Sequence, residues 1–267
     1  MKAITAIGIA CAFGALFVSA ILEGTNPVAF LNIPALILIT GGTAGATMAS
    51  TNFRAFMTAP KAAIMSFKGS SIDSATSIGL MVELSEKARR NGLLALEEDV
   101  AKVDDAYTRK GLQLVVDGTD SDLVAAILEA EVDGLAARHQ LVAGLFATAG
   151  GFAPTVGIIG TVMGLIHVLE NLAAPSTLGP AISGAFIATL YGVSSANLMF
   201  LPIGNKLKEM SSVEINHRMM ILDAILSIQA GDNPRVLSEK LEAFIAPADR
   251  GKNAEGGASS AELREAA

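Results

Sequence analysis

Residues 140–169 of the chain read QLVAGLFATAGGFAPTVGIIGTVMGLIHVL. This stretch contains no Asp, Glu, Lys or Arg, and its only ionisable side chain is His167. A helix needs about 20 predominantly apolar residues to cross the hydrocarbon core of a bilayer, so the stretch is long enough to span a membrane. Three further stretches also lack charged residues: 3–22, 24–53 and 171–205. The sequence therefore predicts four membrane-spanning helices.

The composition excludes several other classes of protein. Of the 267 residues, 51% are hydrophobic and 17% are charged, whereas soluble domains average about 25% charged residues. An ordinary soluble globule and a nucleic-acid-binding protein are therefore excluded. The single cysteine, Cys11, permits neither an internal disulfide nor a cysteine-based metal site, and we expect it to be a small packed side chain in the first span.

The distribution of basic residues predicts the orientation of the spans. Of the 19 Lys and Arg residues, Lys2 precedes the first span, ten lie within 54–138 and eight lie between Lys206 and Arg264. The two remaining connections, around 23–32 and 170–180, contain none. Because Lys- and Arg-rich flanks stay in the cytoplasm, both termini and the large central segment are predicted to be cytoplasmic in a multi-pass protein of the cytoplasmic membrane.

These observations predict an all-α, four-span integral membrane protein with a helical cytoplasmic domain. The predicted segments are span 1 (1–22), an outer turn (23–32), span 2 (33–53), a cytoplasmic helical loop (54–140), span 3 (141–170), a second outer turn (171–177), span 4 (178–204), a cytoplasmic helical tail (205–246) and a disordered tail (247–267).

Local signals suggest where the cytoplasmic helices begin and end. Asn91-Gly92 interrupts a periodic apolar pattern and predicts a turn or helix cap. Ser121 is a plausible N-cap for a helix that continues to Ala137. After Asn233-Pro234, the segment from Val236 to Ile245 reads as a short amphipathic helix.

The four predicted spans contain no Asp, Glu, Lys or Arg at bilayer depth. Proton relays and ion pumps normally carry an ionisable group inside the membrane. Either this chain transports nothing, or a partner helix supplies the acid.

The polar side chains at bilayer depth are mainly hydroxyls, of which Thr161 and Thr189 lie within glycine-rich segments. Hydroxyl and carbonyl oxygens suit a hard cation or a file of water molecules. The alternative is that these hydroxyls bond back to their own helices or hold neighbouring helices together. Pro154 lies inside the third span and removes one helical hydrogen bond, so it marks either a cavity or hinge, or a simple packing kink.

Other chemistry finds little support. His167 falls near the outer end of the third span, where an interfacial histidine is the simpler interpretation than a proton relay. No GxSxG, HExxH, CxxC or P-loop motif is present, and nothing favours Ser194 or Ser195 as a hydrolase nucleophile. No enzyme activity, metal or cofactor is therefore expected, apart from a transported ion.

Three motifs carry a resemblance to a known family. APTVGIIGTVMGLI at 153–166 resembles the third span of the MotA/PomA flagellar stator subunits, and LGPAISGAFIATLYG at 178–192 resembles their fourth span. ARRNGLLALE at 88–97 resembles the charged rotor-contact motif of the family. The resemblance covers about 1–245 and places the chain in the MotA/TolQ/ExbB superfamily.

The resemblance implies a mechanism for motility. Five copies of the subunit would surround the single spans of two MotB/PomB-type subunits, which bind peptidoglycan and supply the aspartate in the membrane. Thr161, Thr189 and Pro154 would belong to the ion path, and Pro154 and Pro202 would couple ion flow to conformational change. The rotor-binding residues would be Arg89, Arg90, Glu97 and Glu98, in contact with the switch protein of the C-ring.

The coupling ion, H⁺ or Na⁺, stays open. The two threonines resemble those of sodium-driven stators, but proton-driven relatives also carry threonines there, and Ala188 replaces a hydroxyl residue found in the commoner pattern. Two rival functions are an ExbB/TolQ-type energy-transducing channel, whose members usually have three spans, and a membrane scaffold that conducts nothing.

Overall fold

A computed structural model describes residues 4–25, 27–69, 72–173 and 175–245. All regular elements in these ranges are helical. The α-helices are α1 (Ile4–Leu22), α2 (Ile33–Ser50), α3 (Phe53–Lys68), α4 (Ser74–Asn91), α5 (Glu97–Val100), α6 (Ala106–Val116), α7 (Ser121–Glu170), α8 (Pro175–Ser195), α9 (Leu201–Ala230) and α10 (Pro234–Glu242). Two 3₁₀ turns, Pro27–Phe30 and Leu93–Leu96, and a π turn, Ala196–Phe200, complete the regular structure.

Four helical segments in the described ranges are long and apolar enough to cross a membrane: Ile4–Leu22, Ile33–Ser50, Ser121–Glu170 and Leu178–Ala230. The last of these runs through α8, the π turn and α9. The prediction of an all-helical protein with four membrane-capable helices is therefore confirmed.

The chain divides into two compact units. The first, here called the membrane unit, consists of Met1–Ser70 and Arg138–Ser211. The second, here called the loop unit, consists of Ser71–Ala137 and Ser212–Ala267. Helices α7 and α9 each contribute residues to both units.

Within the membrane unit, polar residues in short connections start two helices. The side chain of Asn32 accepts a hydrogen bond of 3.0 Å from the backbone of Ala35 at the start of α2, and Pro34 occupies the first turn, where its missing N–H costs nothing. Asn52 caps α3 in the same way through Arg54. Helix α3 packs on α1 and on a small cluster that includes Leu145, Phe146 and Ile203.

The loop unit has its own hydrophobic core, built from α4, α6, the first part of α7, the later part of α9, and α10. Its most completely buried side chains include Met81, Leu96, Tyr107, Leu112, Leu128, Ile225 and Leu241. Burying a side chain of this size contributes roughly 1.5–3 kcal/mol relative to leaving it exposed, so this core is a main favourable contribution to the stability of the unit.

The helix boundaries in the loop unit agree with one local prediction and correct two others. Helix α4 ends at Asn91, and Gly92 follows with a φ of +83°, donating its N–H to the carbonyl of Ala88, as the Asn91-Gly92 pair predicts. The prediction of Ser121 as an N-cap is wrong, because Ser121 is already helical and the side chain of Asp120 accepts from the backbone of Asp122.

The short helix α10 also begins and ends earlier than predicted. It spans Pro234–Glu242 rather than 236–245, because the Asn233 side chain caps it through the backbone of Arg235. The predicted disordered tail, 247–267, lies outside the described residues.

Candidate ion path and rotor-contact surface

Helices α7 and α8 touch at glycines that allow their backbones to approach closely. A Cβ atom on Gly157 would lie 3.0 Å from the carbonyl oxygen of Ala188 and 3.2 Å from the Cα atom of Thr189. A Cβ atom on Gly164 would lie 2.6 Å from that of Ala185. Small residues permit such contacts between membrane helices, and here they form a continuous seam between the two spans.

The seam brings together the two threonines that the sequence singled out. The Oγ1 atoms of Thr161 and Thr189 are hydrogen-bonded to each other. Thr161 Oγ1 also lies 3.1 Å from the carbonyl oxygens of Gly157 and Ala185, and Thr189 Oγ1 lies 3.3 Å from the carbonyl of Gly157. The two hydroxyls therefore do link neighbouring helices, as the packing interpretation expects.

The same cluster has more hydrogen-bond acceptors than donors. It contains four oxygen atoms, two from hydroxyls and two from carbonyls, but each hydroxyl carries only one proton. Lone pairs are thus left over, and they suit a cation or a water molecule as a further partner.

Thr161 and Thr189 are only half-buried, and the surface around them is apolar. On α7, Pro154 and Thr161 are seven residues apart, which is about two helical turns, so they fall on one face of the helix. The exposed apolar side chains that share this face with the threonines are Ile158, Leu165, Phe186 and Val193. The pair is thus a polar spot on an apolar surface.

Two irregular helix turns lie against each other in the membrane unit. Pro154 has no N–H to donate to the carbonyl of Gly150, one turn earlier in α7. A Cβ atom on Gly150 would lie 2.7 Å from the side chain of Leu201, which closes the π turn by donating its N–H to the carbonyl of Ala196. Pro202 follows directly, so one predicted functional proline lies just after the π turn, whereas Pro154 lies within a continuous α-helix that lacks one backbone hydrogen bond.

His167 is exposed near the end of α7. The Asn171 side chain donates to its backbone carbonyl at 2.8 Å, and the His167 ring lines a groove of about 350 Å³ together with Asn32 and Gly160. Within the described ranges, His, Cys, Asp and Glu form no group of three or more that could hold a metal ion.

The loop unit places the predicted rotor-binding residues at one exposed corner. Arg89 and Arg90 lie in the last turn of α4, and Glu97 and Glu98 lie in the first turn of α5. The C-terminus of a helix favours positive charge, as on the arginine pair, and the N-terminus favours negative charge, as on the glutamate pair. Leu94, in the 3₁₀ turn between them, is 74% exposed.

Charged neighbours support this corner. Arg90 pairs with Glu86 at 2.9 Å on the surface of α4. Lys87 donates to Asp99 at 2.5 Å, and this hydrogen bond holds the pKa of Asp99 below its ordinary value. Lys87 and Asp99 thus link α4 to α5. Neither was singled out from the sequence, although their proximity to the motif is a usable signal.

Sequence reasoning also missed a partly buried polar cluster at the start of α4, the opposite end of this helix from the charged corner. His217 on α9 lies 3.3 Å from Ser74 Oγ and 3.5 Å from Ser77 Oγ, at the start of α4. Burial lowers the pKa of His217, and burial raises the pKa of Tyr107 to about 12. Arg218 stacks over the Tyr107 ring at 5.0 Å. These residues are distant in sequence, so no local pattern joins them.

Comparison with known proteins identifies the family. The sequence pattern of the MotA/TolQ/ExbB proton channel family matches residues 99–220. Motility protein A of Borreliella burgdorferi is 37% identical over 250 residues, which cover 94% of this chain and 96% of the relative. The chain belongs to the MotA/TolQ/ExbB proton channel family.

Other members of the family confirm the resemblance to MotA and PomA. Chemotaxis protein PomA of Vibrio alginolyticus is 32% identical over 92% of this chain and 96% of its own length. The structure of C. jejuni MotAB matches with a TM-score of 0.88 at 31% identity, covering 92% of this chain and 96% of that one. The flagellar MotAB stator complex of Bacillus subtilis matches with a TM-score of 0.86 at 36% identity, covering 91% and 96%.

These relatives support the predicted function. This MotA/PomA-type member of the family is a membrane protein and an ion-channel-forming stator subunit of the flagellar motor.

Proposed function

We propose that this chain forms the wall of a stator channel in which Thr161 and Thr189 line the path of H⁺ or Na⁺. The observation that carries the proposal is the hydroxyl pair itself, a polar spot with spare lone pairs on an apolar face of α7 and α8. In a proposed assembly, that face would contact a partner helix and the pair would hand the ion to it.

The partner in this proposal is a single-span, peptidoglycan-binding subunit of the MotB/PomB type. The four spans carry no Asp, Glu, Lys or Arg at bilayer depth, so the titrating aspartate would come from the partner. The solved relatives are MotAB complexes, which supports such a partner. We propose five copies of this chain around two partner spans.

Coupling in this proposal runs through the two prolines. Pro154 and the turn that precedes Pro202 are places where regular α-helical bonding is already broken. Irregular turns of this kind need few bond changes to bend, so they suit a helix that must change shape with each ion. Arg89, Arg90, Glu97 and Glu98 would then transmit force to the switch protein of the C-ring.

The remaining proposals concern location and chemistry. We place both termini and the loop unit in the cytoplasm of the cell, on the basis of the Lys and Arg distribution. We propose that the chain is not an enzyme and needs no cofactor, only the transported ion.

The proposed function is tested by reconstitution in liposomes. The chain alone should give no current, because it lacks an acid inside the membrane, and the chain with its partner should conduct. The chain with a partner variant in which the spanning aspartate is replaced by asparagine is the matched control and should be silent. A sustained current from the chain alone would refute the proposed division of labour.

Of the two rival functions, an ExbB/TolQ-type channel belongs to the same family, but the relatives described above are named as motility proteins and the solved structures are MotAB complexes. A non-conducting scaffold would use the threonines for packing alone. The threonine substitution described in the Discussion separates that role from ion conduction.

A further inference from the structure

Helix α3 carries two parallel stripes that the proposed channel does not use. Its sequence, FRAFMTAPKAAIMSFK, contains three basic residues and no acidic residue. Arg54, Lys61 and Lys68 are spaced by seven residues, so they fall on one stripe of the helix, about 10 Å apart along the axis. All three are exposed, and none forms an ion pair within the described part of the chain.

An apolar stripe lies directly beside the basic one. Phe53 is 63% exposed, Met57 65% and Ile64 58%. Successive residues are 100° apart around the helix axis. These three side chains therefore fall within an arc of about 40°, and the three basic side chains fall within the adjacent arc of about 60°. The opposite face of α3 is occupied, because Ala55, Ala59 and Ser66 are buried against the rest of the membrane unit.

The position of α3 in the chain restricts what can cover these stripes. Only Thr51 and Asn52 separate α3 from the end of the membrane-capable helix α2. A helix that leaves a span this abruptly, with exposed apolar residues on one stripe and cations on the next, has the composition of a helix lying in the membrane–water interface. Cations near a bilayer are attracted to anionic headgroups, and zwitterionic lipids give no such net attraction.

We propose that the basic stripe of α3, Arg54, Lys61 and Lys68, binds the phosphates of anionic phospholipids while Phe53, Met57 and Ile64 insert among the acyl chains. The stripe thus fixes α3, which packs on the membrane-capable helix α1, at the surface of the bilayer. This inference rests on the proposed orientation of the spans. Anionic lipids are concentrated in the cytoplasmic leaflet, so α3 meets them only if it faces that leaflet.

The test measures lipid binding to the purified full-length chain in mild detergent, independently of ion conduction. Phosphatidylglycerol and phosphatidylcholine are titrated separately and bound lipid is counted by native mass spectrometry. We expect preferential binding of phosphatidylglycerol to the unmodified chain. In the triple variant Arg54→Gln, Lys61→Gln, Lys68→Gln the affinity for phosphatidylglycerol should fall on the order of a hundredfold, since each cation near an anionic surface contributes about fivefold.

Two control variants keep the result interpretable. Lys102→Gln, Lys110→Gln, Arg235→Gln removes the same charge from exposed positions of the loop unit and should leave lipid binding unchanged. Arg54→Lys, Lys61→Arg, Lys68→Arg keeps the charge and should retain binding, and its circular dichroism provides a reference for folding.

Three outcomes would overturn the inference. The first is equal binding of the two lipids, and the second is an equal loss of binding in both charge-removing variants. The third is unchanged lipid binding in the α3 variant, and an altered oligomeric state in that variant would assign the stripes to a second copy of this chain. Each of these outcomes leaves the proposed channel untouched, because currents with the partner are measured separately.

Discussion

At the scale of single residues, the hydroxyl pair is the feature on which the proposed ion path depends most directly. Thr161 and Thr189 come from different helices, and their contact depends on the absence of side chains at Gly157 and Gly164. The sequence indicated both threonines as candidates, but their mutual hydrogen bond depends on how two spans pack, and that packing is a long-range property.

Thr189→Ala tests the ion-path role. Removing one oxygen from the cluster should lower the ion current of the stator about five- to tenfold, because a hydrogen-bonding oxygen is worth about 1–1.5 kcal/mol. Thr155→Ala is the matched control, since Thr155 is an exposed threonine of α7 whose hydroxyl bonds only to the carbonyl of Phe152 in its own helix. Swimming speed and membrane content are measured together; normal swimming with Thr189→Ala as the sole stator would exclude the role.

His217 gives a prediction about pH. Burial lowers its pKa below the ordinary 6.5, although the nearby carboxylates of Asp105 and Asp73 act in the opposite direction. Because the unfolded chain then binds the proton more readily, acidification from about pH 7.5 to about pH 5.5 should destabilise the packing of His217 against the start of α4.

The measurement is hydrogen exchange of α4 peptides, corrected for the intrinsic effect of pH. We expect α4 to exchange faster at the lower pH in the native chain, and the increase should be much smaller in His217→Asn, which cannot titrate. The pKa values of Asp73 and Asp105 are themselves lowered from 3.8, so their loss of stabilisation belongs to a more acidic range. An identical pH response in both proteins would contradict the assignment.

At the scale of helices, the sequence predicted element type better than element detail. Charge-free stretches identify the spans because a bilayer excludes charge over a fixed length. The π turn at Ala196–Phe200 escaped prediction because one additional residue in a helical turn barely changes the apolar pattern around it. The cap of α7 was misassigned because Asp120 and Ser121 are both good capping residues, and the choice depends on backbone geometry.

Gly157→Ala tests the seam between α7 and α8. The added methyl group would lie 3.0 Å from a backbone carbonyl, which cannot move aside like a flexible side chain, so we expect a loss of about 1–3 kcal/mol in stability. Gly151→Ala, on the same helix with nothing within 4 Å of its Cβ position, should be neutral or stabilising by up to about 1 kcal/mol, because alanine favours the helix more than glycine does. Thermal unfolding in detergent compares the two; equal midpoints would mean that the helices do not pack as described.

At the scale of the whole molecule, the chain divides into two units with separate hydrophobic clusters. The membrane unit holds the hydroxyl pair and both prolines, and the loop unit holds the charged corner of α4 and α5. Composition and the distribution of basic residues predicted separate membrane-spanning and cytoplasmic segments, and that assignment stays a prediction. The contacts of Lys87, Asp99 and His217 could not be predicted, because they join elements that are far apart in the chain or separated by a turn.

Reversing charges at the corner should separate torque from conduction. Arg89→Glu with Glu97→Lys should abolish or strongly reduce swimming, since like charges brought together at an interface cost several kcal/mol, while the current with the partner stays normal. Arg235→Glu is the control, being an exposed arginine elsewhere in the loop unit. If swimming were unchanged in cells that depend on this stator, the rotor-contact assignment would fail.

The π turn changes the helical periodicity of the side chains between α8 and α9. Five residues, Ala196–Phe200, close a loop of bonding that an α-helix closes with one residue fewer, so the turn behaves as a one-residue insertion. Deleting one residue there would restore an uninterrupted α-helix and leave the later side chains of α9 facing as they do now, because the π turn already absorbs one residue, equivalent to about 100° of rotation around the axis. Residues on one face of α8 and α9 therefore follow one helical spacing up to the π turn and the same spacing, offset by one residue, after it.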